Sequence, residues 1–376
     1  MRIAKIFLLF IGFMVISSAS RAETMRFVRV AIVQDTASLR LKVNSPFEII
    51  DAASSRVVHR GNSLNTTVTI YKGGILLGNI QSYAKKLLIR SVNSEAIVID
   101  NRVFRGDIHL IRKENQRFLV VNYIGLEDYV KGILYNEVSH YWPMEALKAQ
   151  AITSRTYAVY QSEQNKAQEF DVTNDTFSQV YGGKTSERYR TSRAVNETRG
   201  QVLLYQNKVL PAYFHATCAG ATEDASLLWN INAAPLKGVT CGFCKDSPHF
   251  NWHAVFSTDE LRDKLVSGGF GIKNIKNIVI AGRDKSGRIT DLKIISETSE
   301  LKIPAKDFRS AIGPNVIRST NFNVNIVEND VVFEGSGWGH GAGLCQWGAY
   351  FMAKDGATHE RILKFYYPGV NISLLN

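Results

Sequence analysis

Between Met144 and Gln161 the chain runs for 18 residues without a glycine or a proline, and Ala146, Ala149, Ala151 and Ala158 lie inside the run. Alanine loses the least on entering a helix, so the stretch predicts a long helix. Pro143 suits its first helical position, where the missing N–H is no loss. Helical spacing then aligns Ala146, Gln150, Thr153 and Tyr157 on one line and Glu145, Lys148, Ile152 and Arg155 on another. Small and polar side chains in an otherwise apolar helix suggest close packing against a polar site. The other reading of the same pattern is a surface helix with a solvated charged face.

The segments around this helix differ from it. From about residue 26 to 120 short apolar runs such as Phe27–Val33, Thr67–Tyr71, Lys86–Arg90 and Phe118–Val121 are broken by turn residues, so this part reads as mostly β. Further on, Ile278–Ile280 and Ile289–Ile295 flank a turn through Asp284–Gly287 and read as a hairpin. Short helices are expected at Thr258–Ser267 and Ile303–Ile312, with a final pair near Ala342–Lys354 and Thr358–Tyr366. Strands and helices do not alternate regularly, which favours α+β over a doubly wound sheet. The length of 376 residues allows about two domains. The expected division is a signal peptide at 1–22, a mostly-β region at 23–115 and a second domain at 116–376, with mixed sheets around the central Ala-rich helix.

The signal peptide rests on Arg2 and Lys5, the apolar run Ile6–Ile16, and the small residues of Ser20-Arg21-Ala22. The run is too short to span a bilayer comfortably. Removing 1–22 takes away Arg2, Lys5 and Arg21 and lowers the net charge from +11 to +8. A positive balance points to a polyanionic partner. An exported protein does not ordinarily meet chromosomal DNA, so an acidic envelope polymer is preferred to nucleic acid.

Three motifs carry possible chemistry. Glu137 stands between an apolar segment and the helix start, with Tyr141 and Trp142 nearby. Partial desolvation there would raise its pKa and suit a general acid, although a lone Glu at an element boundary is most often a solvated loop charge. Five glycines lie between 335 and 343, holding Trp338 and His340 and followed by Trp347. Such a loop lets a ligand approach the backbone, and its N–H groups, opening a helix, could bind an anion. A tight structural turn is the alternative. The third motif is Cys241-Gly242-Phe243-Cys244, with Cys218 upstream and His249 and His253 downstream. Cys218, Cys241, Cys244 and one His, taken as His249, would close a structural zinc site; a Cys241–Cys244 disulfide is the competing reading. Cys345, over 100 residues further on, reads as a buried small apolar residue.

Taken in order, Tyr129, Asn136-Glu137, Trp142–Ala151, Arg155–Ala158, Gln179–Tyr181, Phe214–Cys218, Arg318–Thr320, Gly335–Gly341, Gln346–Ala349 and Tyr366–Gly369 resemble the stage II sporulation protein D family, which includes amidase enhancers. The match runs from about residue 100 to the end. The resemblance implies a peptidoglycan lytic transglycosylase that cuts MurNAc–GlcNAc bonds in glycan stripped of its stem peptides, after a cell-wall amidase, with Glu137 as general acid and base and no cofactor needed for catalysis. It places Lys148, Arg155, Tyr157, Gln179, Tyr181, Ser336, Trp338, His340 and Gln346 along the glycan. Sporulation or cell division is the implied setting. A non-catalytic glycan-binding protein that activates an N-acetylmuramoyl-L-alanine amidase is the second reading.

Overall fold

A computed structural model describes residues 26–93, 96–176 and 178–375. The signal segment expected at 1–22 lies outside them. Among the described residues no helix is long and apolar enough to cross a membrane. The fold is two-domain α+β, with several mixed sheets around one central helix.

The N-terminal strands form a seven-stranded and a six-stranded sheet. Alternation decides which face each strand buries: in Ser38–Val43 the buried residues are Leu39, Leu41 and Val43. Both sheets contribute to one core, through Val30, Ile89 and Leu110 from the larger and Leu41 and Val68 from the smaller. Strand Phe118–Gly125 pairs with Phe27–Thr36 on one side and Asp107–Arg112 on the other. It then passes directly into helix α1, Leu126–Glu137. Glu127 and Asp128 fall in the first turn of α1, where they complement the helix dipole. The helix stops at Glu137 because Val138 is extended, and the Val138 N–H closes the last turn on Leu134.

Helix α2, Met144–Gln164, is the predicted long helix, and every residue from Ala149 to Val159 is buried. The surface-helix alternative is therefore excluded. Pro143 sits one place earlier than expected, as the extended residue before the helix. Burying Arg155 completely requires that its charge and donors be answered. Its Nε and Nη2 reach the two oxygens of Glu127 at 2.8 and 2.7 Å. Nη1 and Nη2 also donate to the carbonyls of Gln201 and Val195. This ties α2 to α1, to helix α3 (Tyr189–Glu197) and to strand Gln201–Tyr205.

A second core gathers the buried residues of helix α4 (Ala225–Trp229), the four cysteines and the C-terminal helices. The segment 251–336 closes a third core around Phe308, Phe322 and Phe333. It contains the predicted helix α5, Thr258–Ser267, and the predicted hairpin, Asn277–Arg283 with Ile289–Ile295. Helix α6 is Ala305–Ile312, shorter than expected: Ile303 pairs with Leu292 in a strand, and Pro304 ends that strand. Helix α7, Gln346–Lys354, also starts late, because Leu344–Cys345 first pairs in parallel with Phe214–His215. Helix α8, His359–Tyr366, is capped by the Thr358 hydroxyl, which accepts from the Arg361 N–H.

Removing one partner of a buried ion pair strands the other, which costs about 3–5 kcal/mol. Arg155→Ala is therefore expected to lose stability on that scale in denaturant unfolding, and a loss under about 1 kcal/mol would show that the pair does not hold these helices together.

Candidate active site

Glu137 ends α1 with its carboxyl partly buried. Oε1 accepts a hydrogen bond from the Val180 N–H at 2.8 Å. Burial pushes its pKa up to about 7, against the opposing effect of that N–H. Among the described residues no second carboxylate bonds to it. The predicted desolvation is present, but its source is the packing of distant segments.

The first of these is 179–181. Gln179 is buried, accepting from the Tyr129 hydroxyl at 3.0 Å and donating to the Ser154 carbonyl at 3.4 Å. Tyr181 is also buried and donates to Asn122 Oδ1 at 2.7 Å. Asn136 Nδ2 donates to the Val180 carbonyl at 3.0 Å. With both neighbours turned inward, Val180 presents its N–H to Glu137. Gln179 and Tyr181, expected along the glycan, are buried and bonded within the protein on either side of Val180.

The second segment is the start of α7. Gln346 Nε2 donates to the Glu137 carbonyl at 3.3 Å and lies 3.5 Å from Gln150 Oε1. Trp347 packs edge-on against Trp142, with ring centroids 5.1 Å apart. Tyr157 lies close enough to feel the acid: burial first, and then the Glu137 charge among others, raise its hydroxyl. Its ring meets Tyr213 at 5.9 Å; Tyr213 stacks on Trp229 at 4.1 Å, and Trp229 meets His340 at 4.8 Å. An aromatic row therefore leads from the acid to the glycine loop. Tyr213 and Trp229 were not singled out in the sequence, since neither belongs to a motif and only the fold brings them together.

Gly337, Gly339, Gly341 and Gly343 all have positive φ. At Gly343 a Cβ would stand 2.0 Å from the Tyr213 carbonyl, so the close approach requires glycine. His340 Nδ1 accepts from the Ala342 N–H at 3.1 Å, and burial, helped by Arg309, pushes its pKa down to about 3, so it stays neutral. Trp338 carries the Arg318 guanidinium 4.8 Å over its ring and His249 at its edge. Ser336 Oγ bonds Asn251 Oδ1 at 3.2 Å. Part of the expected anion cradle is taken up within the protein: the N–H groups of 337, 338, 339 and 344 go to protein carbonyls, and the α7 terminus is capped by Cys345 Sγ, which accepts from the Gly348 N–H.

Two expected substrate contacts are instead committed inside the protein. Arg155 is wholly buried against Glu127. Lys148 is held by Glu145 at 3.0 Å and Glu197 at 2.9 Å. A cation neutralised on two sides has little left for a glycan carboxylate.

The metal expectation changes as well. The sulfurs of Cys218, Cys241, Cys244 and Cys345 all lie within 4.8 Å of one another, all buried and none in a disulfide. Cys345 takes the place given to His249, which packs against Trp338 instead. The Cys218 N–H and Gly348 N–H both donate to Cys345 Sγ at 3.3 Å, and the Tyr366 hydroxyl lies 3.1 Å from Cys241 Sγ. Four thiols converging on one point, with N–H donors behind them, fit a closed four-sulfur metal site.

The stage II sporulation protein family matches residues 114–205, which hold α1, α2 and Val180, and a domain of unknown function (DUF8618) matches 237–343. A protein of Brachyspira hyodysenteriae is 33% identical over 347 residues, covering 92% of each chain. Stage II sporulation protein D of Bacillus subtilis is 32% identical over 286 residues, covering 71% of this chain and 78% of its own. The amidase enhancer of Bacillus subtilis is 26% identical over 394 residues, and the chain spans about half of it, 54%. On this likeness, carried through the segment that bears the isolated carboxyl, the chain belongs to the stage II sporulation protein D family.

Proposed function

We propose that this protein is an exported peptidoglycan lytic transglycosylase acting on glycan freed of its stem peptides. Family membership and the amidase-enhancer relative support the coarser statement, a role at the cell wall. The observation that carries the finer reading is Glu137, a single partly buried carboxyl with a pKa near 7 and no second carboxylate bonded to it among the described residues. Hydrolytic glycosidases commonly use two carboxyl groups, one for the leaving group and one for water or the sugar. A transglycosylase works with one. Protonated Glu137 gives its proton to the glycosidic oxygen as the bond from C1 breaks. The carboxylate then takes the proton of the MurNAc C6 hydroxyl as that oxygen closes on C1, leaving a 1,6-anhydro sugar and regenerating the acid. A pKa near neutrality serves both halves.

Zinc on Cys218, Cys241, Cys244 and Cys345 would complete a closed structural site, supplying folding energy and no open position for chemistry. It would join the segment after Phe214–His215, the Cys241–Cys244 knuckle and the start of α7, and so hold Gln346 against the end of α1. A non-catalytic protein that activates an amidase is the second reading, favoured by the name of the 26% identical relative.

Glu137→Gln is expected to lower release of 1,6-anhydro-ended fragments from stripped glycan at least about a hundredfold, read by mass spectrometry. Undiminished product would reject Glu137 as the acid, and no product from the wild type would favour the amidase activator. In the wild type kcat/KM should fall as pH rises above about 7. Stability follows the same titration. The folded pKa is raised from 4.5 to about 7, so the stabilisation is fully present below about 4.5 and lost as pH rises through about 7. Glu137→Gln, which has no charge to bury, should therefore gain on the wild type by on the order of 2 kcal/mol between about pH 5 and 8 in denaturant titrations. A constant difference would mean an ordinary carboxyl.

Metal analysis of the purified chain should give about one zinc per molecule, and Cys345→Ala should lose the metal and melt at lower temperature. Metal-free protein with Cys241 and Cys244 oxidised would establish the disulfide instead.

A further inference from the structure

From the last turn of α1 outward the surface carries a strip of rings and cations that the mechanism above does not use. Tyr141 and Tyr189 are 79% and 80% exposed, unusual for rings of this size. They come from different segments, 139–142 and the start of α3, which are tied together because Arg190 bonds the carbonyls on either side of Tyr141. Its Nε donates to His140 O and its Nη2 to Trp142 O, both at 2.9 Å. The strip continues inward through close ring contacts: Tyr141 to His140 at 4.0 Å, then His140 to Tyr135 at 5.3 Å. The Arg188 guanidinium lies 4.2 Å over the Tyr135 ring. Its Nη1 donates to the carbonyls of Thr185 and Glu187. Among the described residues Nε and Nη2 have no protein acceptor, which leaves one edge of the fork open. Tyr135 shares the last turn of α1 with Glu137. Asn136, between them, donates to Ser186 Oγ at 3.0 Å and so docks the segment leading to Arg188 on that same turn.

The geometry points to a glycan-binding subsite, in which Tyr141 and Tyr189 stack on pyranose faces and Arg188 takes the lactyl carboxylate of a MurNAc unit next to the cleaved bond. A flat ring offers the apolar face of a sugar a large contact area at little entropic loss. A guanidinium already held by two carbonyls and a ring is oriented to bind a carboxylate through its open edge. The charge match favours this occupant: stripped strands keep one carboxylate per MurNAc, and the other two cations expected on the glycan, Arg155 and Lys148, are paired with Glu127, Glu145 and Glu197. The subsite names the substrate feature read by the site proposed above and rests on that reading.

The test measures binding, not turnover, in the full chain carrying Glu137→Gln. The probes are peptide-free glycan strands and the same strands with their carboxyl groups reduced to alcohols. Tyr141→Ala combined with Tyr189→Ala should weaken co-sedimentation with either probe about tenfold. Arg188→Ala should weaken binding of native strands severalfold and have no effect on reduced ones, and Tyr→Phe changes should be tolerated. Binding within about twofold of the parent for all these variants overturns the subsite. An equal loss on native and reduced strands overturns the carboxylate assignment. Intact glycan binding with loss of capture of a purified amidase overturns it in favour of a protein-docking face. Because the readout needs no product, its failure is separate from failure of the transglycosylase reading, which the anhydro-sugar assay decides.

Discussion

The buried pair between Arg155 and Glu127 fixes the relation between the two helices on which the candidate site depends. Glu127 lies in the first turn of α1 and Glu137 in the last, so the pair anchors one end of the rod whose other end carries the acid. An ion pair out of water does little for stability over an apolar isostere. What it does is discriminate: any other setting of α1 on α2 leaves a guanidinium or a carboxylate unpaired in the core. The carbonyls of Val195 and Gln201 on the same guanidinium extend that discrimination to α3 and the strand beyond it.

Around the acid the protein has used its polar groups to position one another. Gln179, Tyr129, Ser154 and Tyr181 are satisfied inside the fold, and the result is a single backbone N–H aimed at Glu137. Among the described residues no cation bonds to the carboxyl. With one N–H and no counter-charge, desolvation prevails and the carboxyl holds its proton to near neutral pH. A cation bonded at this position would have held it ionised and useless as an acid.

The long helix was legible because alanines and the absence of glycine and proline act through near neighbours. The β character of the first 120 residues and the hairpin at 277–295 were legible for the same reason. The late starts of α6 and α7 were not, because strand pairing, with Leu292 on the neighbouring strand and with His215 far away in sequence, took the residues that local propensity assigned to helix. Cys345 was misread for a related cause: the next cysteine, Cys244, lies 101 residues before it, and only the pairing of Leu344–Cys345 with Phe214–His215 brings it to Cys218. Trp229 and Tyr213 left no periodic trace, since a contact between the end of a five-residue helix and a loop has no period.

By itself the sequence determined that Glu137 stands just ahead of a long helix, that five glycines break the chain at 335–343, and that the cysteines at 241 and 244 form a knuckle. Each depends on residues a few positions apart. Only the tertiary structure decided which partners these features have: Val180 and Gln346 for the acid, Cys345 for the knuckle, Glu127 for Arg155, and Arg190 for the loop that presents Tyr141. Such partners are chosen by which buried donors, acceptors and charges remain to be satisfied once the sheets and helices have packed, and that is a property of the whole chain rather than of any stretch of it.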